Sequence, residues 1–518
     1  MSATVTAEGR YSQLMANRSS VLDRARDGAK LTIPSILPPD GHSEVTRLTT
    51  PYQGIGARGV NNLASKLLLA LLPPNAPFFR MVMDDFTMEK IAQREGMRAE
   101  VEKAFNKIER AVMSDIETST IRVSSFEALK QLIVCGNVLC YLPTGGGMKV
   151  FRLDRFVVHR DPMGHVLEII VKETVSPSVL PDGIRDAVSK ELGGSVQKSA
   201  DIYTHIQRKP NQWAVYQECK GIKVPGSQGQ YPLDKSPWIP LRWTKIDGED
   251  YGRGYVEEYL GDLRSLEGLT QSIVEGSAAA AKVLFLVNPN GTTQQKTLVD
   301  SPNGAVRAGR ADDVSVLQVE KFADFRIAFQ TIEIIQQRLS YAFLMNSAVQ
   351  RSGERVTAEE IRYMAGELED ALGGVYSILS QEFQLPLVNR IMFQMERAGK
   401  LPPLPRELMK PAITTGLEAL GRGHDLNKLQ MLLQVLSPLG PEAVSTYLST
   451  GDYIMRAGTS LGIDMAGLVR SEEEVQQMMQ AQQQQEMLAQ LGPAAMQMAG
   501  KMQGAEGQNG PQAQPAEE

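Results

Sequence analysis

Apolar residues recur every three or four positions over a long stretch of this chain that begins near residue 323. They form one helical stripe, which consists of Phe325, Ala328, Ile332, Ile335, Leu339 and Ala342. The period stops in Ser347–Thr357, a charged segment that contains Gly353. A new helix is predicted from Thr357, whose hydroxyl can cap it while Glu360 completes a capping box. The pattern therefore predicts a charged loop held between two helices.

A second long helix is predicted over Tyr251–Ala281, where an apolar period is followed by small residues. Between the two helices, Lys282–Phe322 is expected to form a small β module. Its strand-like segments are KVLFLVNP, TLV, AVRAG and SVLQV, separated by Asn-Pro-Asn-Gly and Ser-Pro-Asn-Gly turns. The Tyr251–Ala281 helix has little partner for its apolar surface within its own segment. Packing against copies of the chain in a ring would supply one.

The rest of the chain alternates helical and strand-like patterns. Further helices are predicted over residues 8–28, Met88–Ile116 and Ser124–Ile133. The arginines of the first of these are expected to face solvent, namely Arg18, Arg24 and Arg26. Short strands joined by turns follow between residues 136 and 243, and a proline-rich LPPLP marks a boundary near residue 403. Residues 416–491 are predicted to be helical, so the fold class is α+β and mainly α.

Composition and charge narrow the class of protein. The chain has 518 residues, which is too long for a single hydrophobic core, so two or more structural units are expected. Of its residues, 42% are hydrophobic. A net charge of −6 argues against a general nucleic-acid-binding domain, although it is compatible with a protein along which DNA slides. Three cysteines (Cys135, Cys140 and Cys219) at no metal spacing indicate reduced thiols, and Cys135 and Cys140 are expected to be small buried side chains. The acidic pair Asp312 and Asp313 is expected to be solvated. Apolar runs fall well short of the ~20 residues that span a bilayer, which predicts a soluble protein.

Two motifs of this sequence occur in enzymes, but the segments around them lack the secondary structure that each motif requires. Gly54, Gly56 and Gly59 fit the dinucleotide pattern G-x-G-x-x-G, but a turn and not a hydrophobic strand precedes them. Gly458–Gly462 fits G-x-S-x-G around Ser460, but its surroundings are helical. The sequence has neither a Walker-type phosphate loop nor a metal-binding histidine spacing. We therefore expect no catalytic residues, no cofactor and no metal site.

One long block resembles a known family. LMNSAVQRSGERVTAEEIRYMAGELEDALGGVYSILSQEFQLPLV, from Leu344 to Val388, is similar to the portal proteins, or head-to-tail connectors, of short-tailed podophages of the autographivirus type. Shorter blocks also resemble that family: ARGVNNLASKL, RFVVHRDPMGHVLE, YGRGYVEEYLGDLRSLE and TGLEALGRGHDLNKL. Together the resemblance covers about Gly56 to Leu426, and it is weakest at the two ends of the chain.

The resemblance implies a phage portal fold with a wing, a long-helix stem, a small β-rich clip and a helical crown, assembled as a ring. Carried onto this sequence, the implied parts are residues 1–252 for the N-terminal part of the wing, 253–281 for a stem helix, 282–322 for the clip, 323–346 for a second stem helix, 347–356 for a tunnel loop, 357–412 for the C-terminal part of the wing, 413–491 for the crown, and 492–518 for a tail. The Gln, Gly, Ala and Pro content of that tail predicts disorder.

The resemblance also implies a function: a dodecameric ring at one capsid vertex, through which double-stranded DNA is packaged and ejected. The tunnel loop would face the DNA through Gln350, Arg351, Glu354 and Arg355. Phosphate contacts by its arginines would be weak and independent of DNA sequence. Arg351 can equally pair with Glu354 or Glu359. The clip would dock other proteins through Asn288, Asn290, Asn303, Arg307 and Arg310.

The implied partners are further copies of the chain, double-stranded DNA, the terminase large subunit and then the tail adaptor and nozzle proteins. Major capsid, scaffolding and internal core proteins complete the set, and no membrane is expected. The protein would assemble in the host cytoplasm and reside at the portal vertex of the virion. Two alternatives remain from the residues alone: a structural adaptor or helix-binding scaffold that forms no ring, and an enzyme that uses the glycine or serine motif.

Overall fold

The computed structural model describes residues 6–43, 45–74, 77–83, 97–181, 184–185, 199–280, 284–317, 322–345, 371–401, 409–413 and 421–436, together with isolated positions. The chain divides into two compact units, Met1–Ala419 and Leu420–Glu518. The helices are α1 (Ala7–Leu31), α2 (Ile55–Leu71), α3 (Met97–Thr118), α4 (Ile121–Cys135), α5 (Tyr255–Glu258), α6 (Leu260–Ala280), α7 (Gln295–Val299), α8 (Phe322–Ala342), α9 (Leu385–Arg397) and α10 (Gly421–Leu436).

The strands lie mainly between α4 and α5, where the turn signals of the sequence predict them. They are β1 (Phe79–Met83), β2 (Asn137–Tyr141), β3 (Lys149–Phe151), β4 (Phe156–Arg160), β5 (Val166–Val175), β6 (Ala200–Arg208), β7 (Gln212–Cys219), β8 (Ile222–Lys223), β9 (Gly229–Pro232), β10 (Trp238–Arg242), β11 (Leu284–Val287), β12 (Val314–Leu317) and β13 (Met409–Ile413). The mixture of helix and strand confirms the predicted α+β class.

Helix α4 runs through the main core, where Leu129 and Leu132 are buried. It ends at Gly136, whose φ of 71° is a left-handed conformation that glycine adopts without steric cost. A side chain at this position would overlap the backbone of Arg253. Glycine is therefore required both for the end of α4 and for the close approach of the segment that leads into α5.

The largest sheet is antiparallel, with strand order β4-β5-β6-β7-β8 and with β9 beside β7. Helix α1 packs on this sheet through Tyr11 and Leu14, which share a cluster with Val157 and Ile170. Arg18 of the same helix is buried and donates hydrogen bonds to the carbonyl oxygens of Leu153 (2.8 Å) and Phe156. The expectation that Arg18 faces solvent is wrong, because its guanidinium is hydrogen-bonded to these two carbonyl oxygens beneath the helix.

Among the described residues, two smaller sheets lie outside the β11–β12 hairpin of the first unit. One has the order β10-β2-β3, and the other pairs β1 with β13 so that Phe79 lies opposite Ile413. The sequence marks the region before β13 as a boundary and does not predict this strand. The pairing joins segments far apart in the chain, which a local pattern does not reveal.

Helices α6 and α8 pack against each other in antiparallel directions. In the chain they are connected by the hairpin that β11 and β12 form. Asp262 of α6 pairs with Arg338 of α8 at 3.0 Å, and Gly276 of α6 lies against Phe325 of α8. The continuous helix expected over Tyr251–Ala281 begins instead at Tyr255 and is interrupted at Tyr259, where φ is −107° and ψ is 13°. The interruption lets the rings of Tyr255 and Tyr259 both contact Phe343 at the end of α8.

Within the hairpin, β11 and β12 confirm two of the four predicted strands, with Leu284 opposite Leu317. The other two predictions are wrong, since the TLV segment lies in α7 and residues 305–309 form no strand. Short β-branched runs become strands when a neighbouring strand is free to pair with them, and β11 and β12 already pair with each other.

In the second unit, α10 confirms the helical pattern. Within the described ranges, no helix is long and apolar enough to cross a membrane.

Candidate functional site

The α6–α8 pair has two ends, and the sequence predicts a functional segment at each of them. At one end is the β11–β12 hairpin, which carries the five expected docking residues. At the other end α8 stops at Ala342, shortly before the charged loop expected over residues 347–356. The four loop residues Gln350, Arg351, Glu354 and Arg355 lie outside the described residues, which end at Met345 and resume at residue 368.

Asp313, at the start of β12, holds the turn that follows β11. Its Oδ2 atom accepts hydrogen bonds from the backbone N–H groups of Thr292 (2.9 Å) and Thr293 (3.1 Å) and from their hydroxyls (3.1 and 3.0 Å). The residue is 8% exposed, so the expectation of a solvated carboxylate is wrong for Asp313. Gly291 makes room for it, because a Cβ at Gly291 would lie 2.5 Å from Asp313 Cγ.

The same contacts set the acidity of Asp313. Desolvation raises the pKa of its carboxyl, but the hydrogen bonds from Thr293 and Thr292 outweigh desolvation and hold the pKa below its ordinary value. The carboxylate therefore stays ionised at neutral pH and anchors the turn as a charge-assisted acceptor.

The side chains of all five expected docking residues are exposed on this hairpin. Asn288 Oδ1 accepts a hydrogen bond from the N–H of Asn290 (3.0 Å), and Arg307 Nε donates one to Ser301 Oγ (3.1 Å). The backbone N–H of Arg310 donates to Thr293 Oγ1 at 3.0 Å. Apolar side chains are exposed beside them, namely Leu286, Leu298, Val299 and Val306, the last of which is 98% exposed. The hairpin thus presents basic and apolar groups together.

The opposite end of α8 is fixed by two side chains of α2. Asn62 Nδ2 donates hydrogen bonds to the carbonyl oxygens of Phe343 (2.9 Å) and Leu344 (3.0 Å). Lys66 Nζ donates to the same Leu344 oxygen at 2.8 Å. Leu344 has a φ of 53°, a left-handed conformation that a leucine rarely adopts. The block ARGVNNLASKL therefore supplies the donors that stabilise the point where the chain leaves α8.

The glycine motif of the sequence serves helix packing. A Cβ at Gly56 would lie 2.6 Å from the carbonyl oxygen of Leu31, and one at Gly59 would lie 2.6 Å from the ring of Phe343. Gly54 precedes the first residue of α2 and follows no strand. These glycines bring α2 against α1 and α8, and they do not form a phosphate-binding turn. Ser460, the centre of the other motif, lies outside the described residues.

The three cysteines are buried, which confirms the expectation for Cys135 and Cys140. Desolvation raises the pKa of the Cys140 thiol to about 12 and also raises that of Cys135. Both thiols are therefore protonated and unreactive near neutral pH. No cluster of three or more His, Cys, Asp and Glu side chains suited to a metal occurs in the part of the chain that the structure describes.

A buried ionic cluster under α1 escaped the sequence reasoning. Glu168 of β5 lies 2.6 Å from His205 Nε2 and 2.9 Å from Arg10, and His205 Nδ1 lies 2.7 Å from the Tyr216 hydroxyl. Desolvation raises the pKa of Glu168, but its hydrogen bonds from His205 and Arg10 outweigh that effect and lower the pKa to about 2. Alternation along β5 and β6 could have shown the inward-facing polar positions, but not that they meet.

Comparison with known proteins supplies the family. Residues 4–469 match the family described as bacteriophage head to tail connecting protein. The portal protein of Escherichia phage T7 is 44% identical over 498 residues, which cover 95% of this chain and 92% of that protein. The portal protein of Enterobacteria phage SP6 is 33% identical over 495 residues, covering 93% and 94%.

A chain in the solved neck of an empty gene transfer agent (GTA) particle covers 80% of this chain, and 90% of its own length is matched, at 12% identity and a TM-score of 0.38. The match of sequence to the family confirms the resemblance read from the Leu344–Val388 block. It also confirms that the protein is a structural component of a virion and not an enzyme. The chain belongs to the family of bacteriophage head-to-tail connecting proteins.

Proposed function

We propose that this protein forms a dodecameric ring at one capsid vertex, the channel through which double-stranded DNA is packaged and ejected. The observation that carries this proposal is a second apolar face on α8. One face packs inside the subunit, where Ile335 and Leu339 are buried. On another, Ile327, Ile334 and Tyr341 are 65%, 60% and 61% exposed.

A second apolar face needs a partner outside the subunit. A surface helix of a globular protein normally carries one apolar stripe, and a helix that is apolar on two sides is normally buried on both. Neighbouring exposed apolar side chains of this size mark an interaction surface. Lateral neighbours in a closed ring would cover this face on every copy at once.

Charge supports a channel that lets DNA slide. Twelve copies multiply the formal charge of −6, and duplex DNA carries one negative charge per ~1.7 Å of its axis. Repulsion from most of the wall would keep the DNA centred. In the tunnel loop, Arg351 and Arg355 would touch phosphates weakly and without sequence preference, and Glu354 would limit that grip.

The two ends of the α6–α8 pair suggest a division of roles. The hairpin, with Arg307, Arg310 and the exposed Val306, would dock the terminase large subunit first and the tail adaptor and nozzle proteins afterwards. The loop beyond Met345 would reach the DNA. Major capsid, scaffolding and internal core proteins would contact other surfaces of the ring.

Electron microscopy and native mass spectrometry of the purified full-length protein test this proposal. We expect rings with a central hole and the mass of twelve 56.9 kDa chains. A stable monomer under assembly conditions, or an oligomer without a hole, would refute the channel and favour a non-ring adaptor.

A further inference from the structure

We propose that the exposed stripe of α8 in one copy packs into the outer face of α6 in the next copy. This inference rests on the ring proposed above, because it names the surfaces by which neighbouring copies meet. It is carried by the shapes of two helix faces and by the register between the helices.

The outer face of α6 is formed by small residues. Positions spaced alternately four and three residues apart lie on one side of a helix. On α6 the exposed side reads Gly261, Ser265, Gly268, Ser272, Glu275 and Ala279. From Gly261 to Ser272 no side chain on this face is larger than serine. A second helix can therefore approach the backbone of α6 closely along about three turns.

Two glycines on this face have no explanation within the subunit. A Cβ at Gly261 or at Gly268 would meet no atom within 4 Å. A glycine inside a helix is less favourable than alanine, so an internal glycine needs a packing reason. Gly276 of the same helix has one, because a Cβ there would lie 2.8 Å from the ring of Phe325. For Gly268 the matching reason is a contact from outside the subunit.

The exposed stripe of α8 has the complementary shape. Ile327, Ile334 and Tyr341 follow one another at intervals of seven residues, which places them on one side of the helix two turns apart. This spacing matches the repeat of Gly261, Ser265, Gly268 and Ser272, a four-and-three alternation that also recurs every seven residues. Large side chains on one helix thus face spaces between small ones on the other, as knobs face holes.

The register follows from the contacts inside one subunit. Asp262 lies level with Arg338, and Gly276 lies level with Phe325. A closed ring relates its copies by rotation without translation along its axis, so for an α6–α8 pair that runs along this axis the same levels hold between neighbours. Ile334 then lies at the level between Ser265 and Gly268 of the next copy.

Two arginines beside the two faces are paired inside the subunit, and Glu275, which lies beyond the small-residue stretch of the α6 face, accepts hydrogen bonds from Gln271 (2.9 Å) and Tyr52 (3.4 Å). Arg264 lies 2.5 Å from Asp27, and Arg338 lies 3.0 Å from Asp262. The contact between copies is therefore mainly apolar. We expect assembly of the ring to depend only weakly on salt, in contrast to an interface held by ion pairs.

Disulfide cross-linking of assembled rings tests the register. The variant Ile334→Cys, Gly268→Cys is assembled under reducing conditions and then oxidised. We expect a ladder of covalent oligomers up to the full ring on a non-reducing gel, because the two Cα atoms must lie within about 7 Å. The native cysteines are buried and do not compete. The matched pair Ile327→Cys, Gly261→Cys is displaced by about 18 Å along the helix and should not cross-link.

A second variant keeps the test decisive if the cysteine variant does not assemble. Gly268→Leu adds a large side chain where the isolated subunit has open space, so it should leave the thermal stability of the subunit unchanged or higher while abolishing rings. Ser277→Leu, an exposed position on another side of α6, should still assemble.

Two results would overturn the inference. Rings of the Ile334→Cys, Gly268→Cys variant that do not cross-link, or normal rings of Gly268→Leu, would show that these faces do not meet, and the proposed portal function would stand. If the unmodified protein forms no rings, the portal proposal itself fails.

Discussion

The ammonium group of Lys66 lies 2.8 Å from the carbonyl oxygen of Leu344 and donates a hydrogen bond to it. This contact ties α2 to the segment that follows α8. Because the oxygen also accepts from Asn62 Nδ2, a single carbonyl three residues before the expected tunnel loop is held by two donors from one helix. Helix α2 therefore fixes the chain at the point where it leaves α8.

Replacing Lys66 with methionine should loosen this attachment while the aliphatic part of the side chain is kept. Loss of a charged donor to a partly buried carbonyl costs about 1–3 kcal/mol. We expect amide hydrogen exchange at the end of α8 to become about 5- to 150-fold faster, which corresponds to that cost. Lys130→Met, which removes an ion pair with the half-buried Glu127 far from this carbonyl, is the control and should leave exchange there unchanged. Unchanged exchange in Lys66→Met would contradict this role.

Replacing Asp313 with asparagine should loosen the hairpin without preventing ring formation. The folded state lowers the pKa of Asp313, so this carboxylate stabilises the hairpin above its ordinary pKa and the contribution is lost as pH falls through the folded pKa. We therefore expect faster hydrogen exchange of the Thr292 and Thr293 amides in Asp313→Asn at neutral pH, and a shrinking difference from the unmodified protein in acid. A difference that grows in acid would have the wrong sign.

Gly291→Ala should disturb the same turn by a steric route. The added Cβ would lie 2.5 Å from Asp313 Cγ, closer than real Cβ contacts, so the carboxylate must move away from its four donors. We expect the hairpin to unfold at a lower temperature. Hydrogen exchange of its backbone amides measures this change. Gly145→Ala is the matched control, because open space surrounds Gly145 in an exposed loop. Equal behaviour of the two variants would mean that the turn relaxes freely.

The ionic cluster under α1 should make the first unit sensitive to acid. Glu168 has a folded pKa of about 2, below its ordinary value of 4.5. Its contribution to stability is therefore present above about pH 4.5 and is lost as pH falls towards about 2. Glu168→Gln should lower the thermal midpoint most at neutral pH and progressively less in acid. Glu127→Gln, which alters a partly exposed pair on one helix, should show no such pH dependence.

Removing both loop arginines should change the handling of DNA. We expect Arg351→Ala, Arg355→Ala to form normal rings but to package or retain less DNA, because weak phosphate contacts are lost around the whole bore. The amount of DNA per particle measures this. Arg307→Ala, Arg310→Ala removes the same number of charges from the hairpin and should instead weaken docking of a terminase or tail protein. Normal DNA retention in the loop variant would remove the proposed role of the loop.

Local periodicity in the sequence predicts the long helices and the β11–β12 hairpin well. The stripe through Ile332, Ile335 and Leu339 identifies the buried face of α8, since one helical period decides which side chains face the core. The hydrophobic pattern, however, does not distinguish a continuous helix from one interrupted at Tyr259. That interruption follows from aromatic packing against Phe343, a residue far along the chain.

Polar contacts between distant segments were not predictable in the same way. In their own segments Arg18, Lys66 and Asp313 look like ordinary surface residues. In the folded chain each makes hydrogen bonds to groups that are distant in the sequence. Hydrophobic periodicity predicts whether a position faces the core, but it does not predict which hydrogen-bond partner a polar side chain finds there. The role of the glycines in α2 was hidden for the same reason, because their neighbours are Leu31 and Phe343.

The pairing of β1 with β13 has a consequence for biosynthesis. Strand β1 leaves the ribosome early, whereas its partner around Ile413 is among the last parts of the first unit to be made. Until then the nascent chain carries an open strand edge, which favours aggregation or holding by chaperones. Prematurely terminated chains should therefore be diverted to degradation, which would exclude defective protomers from particles.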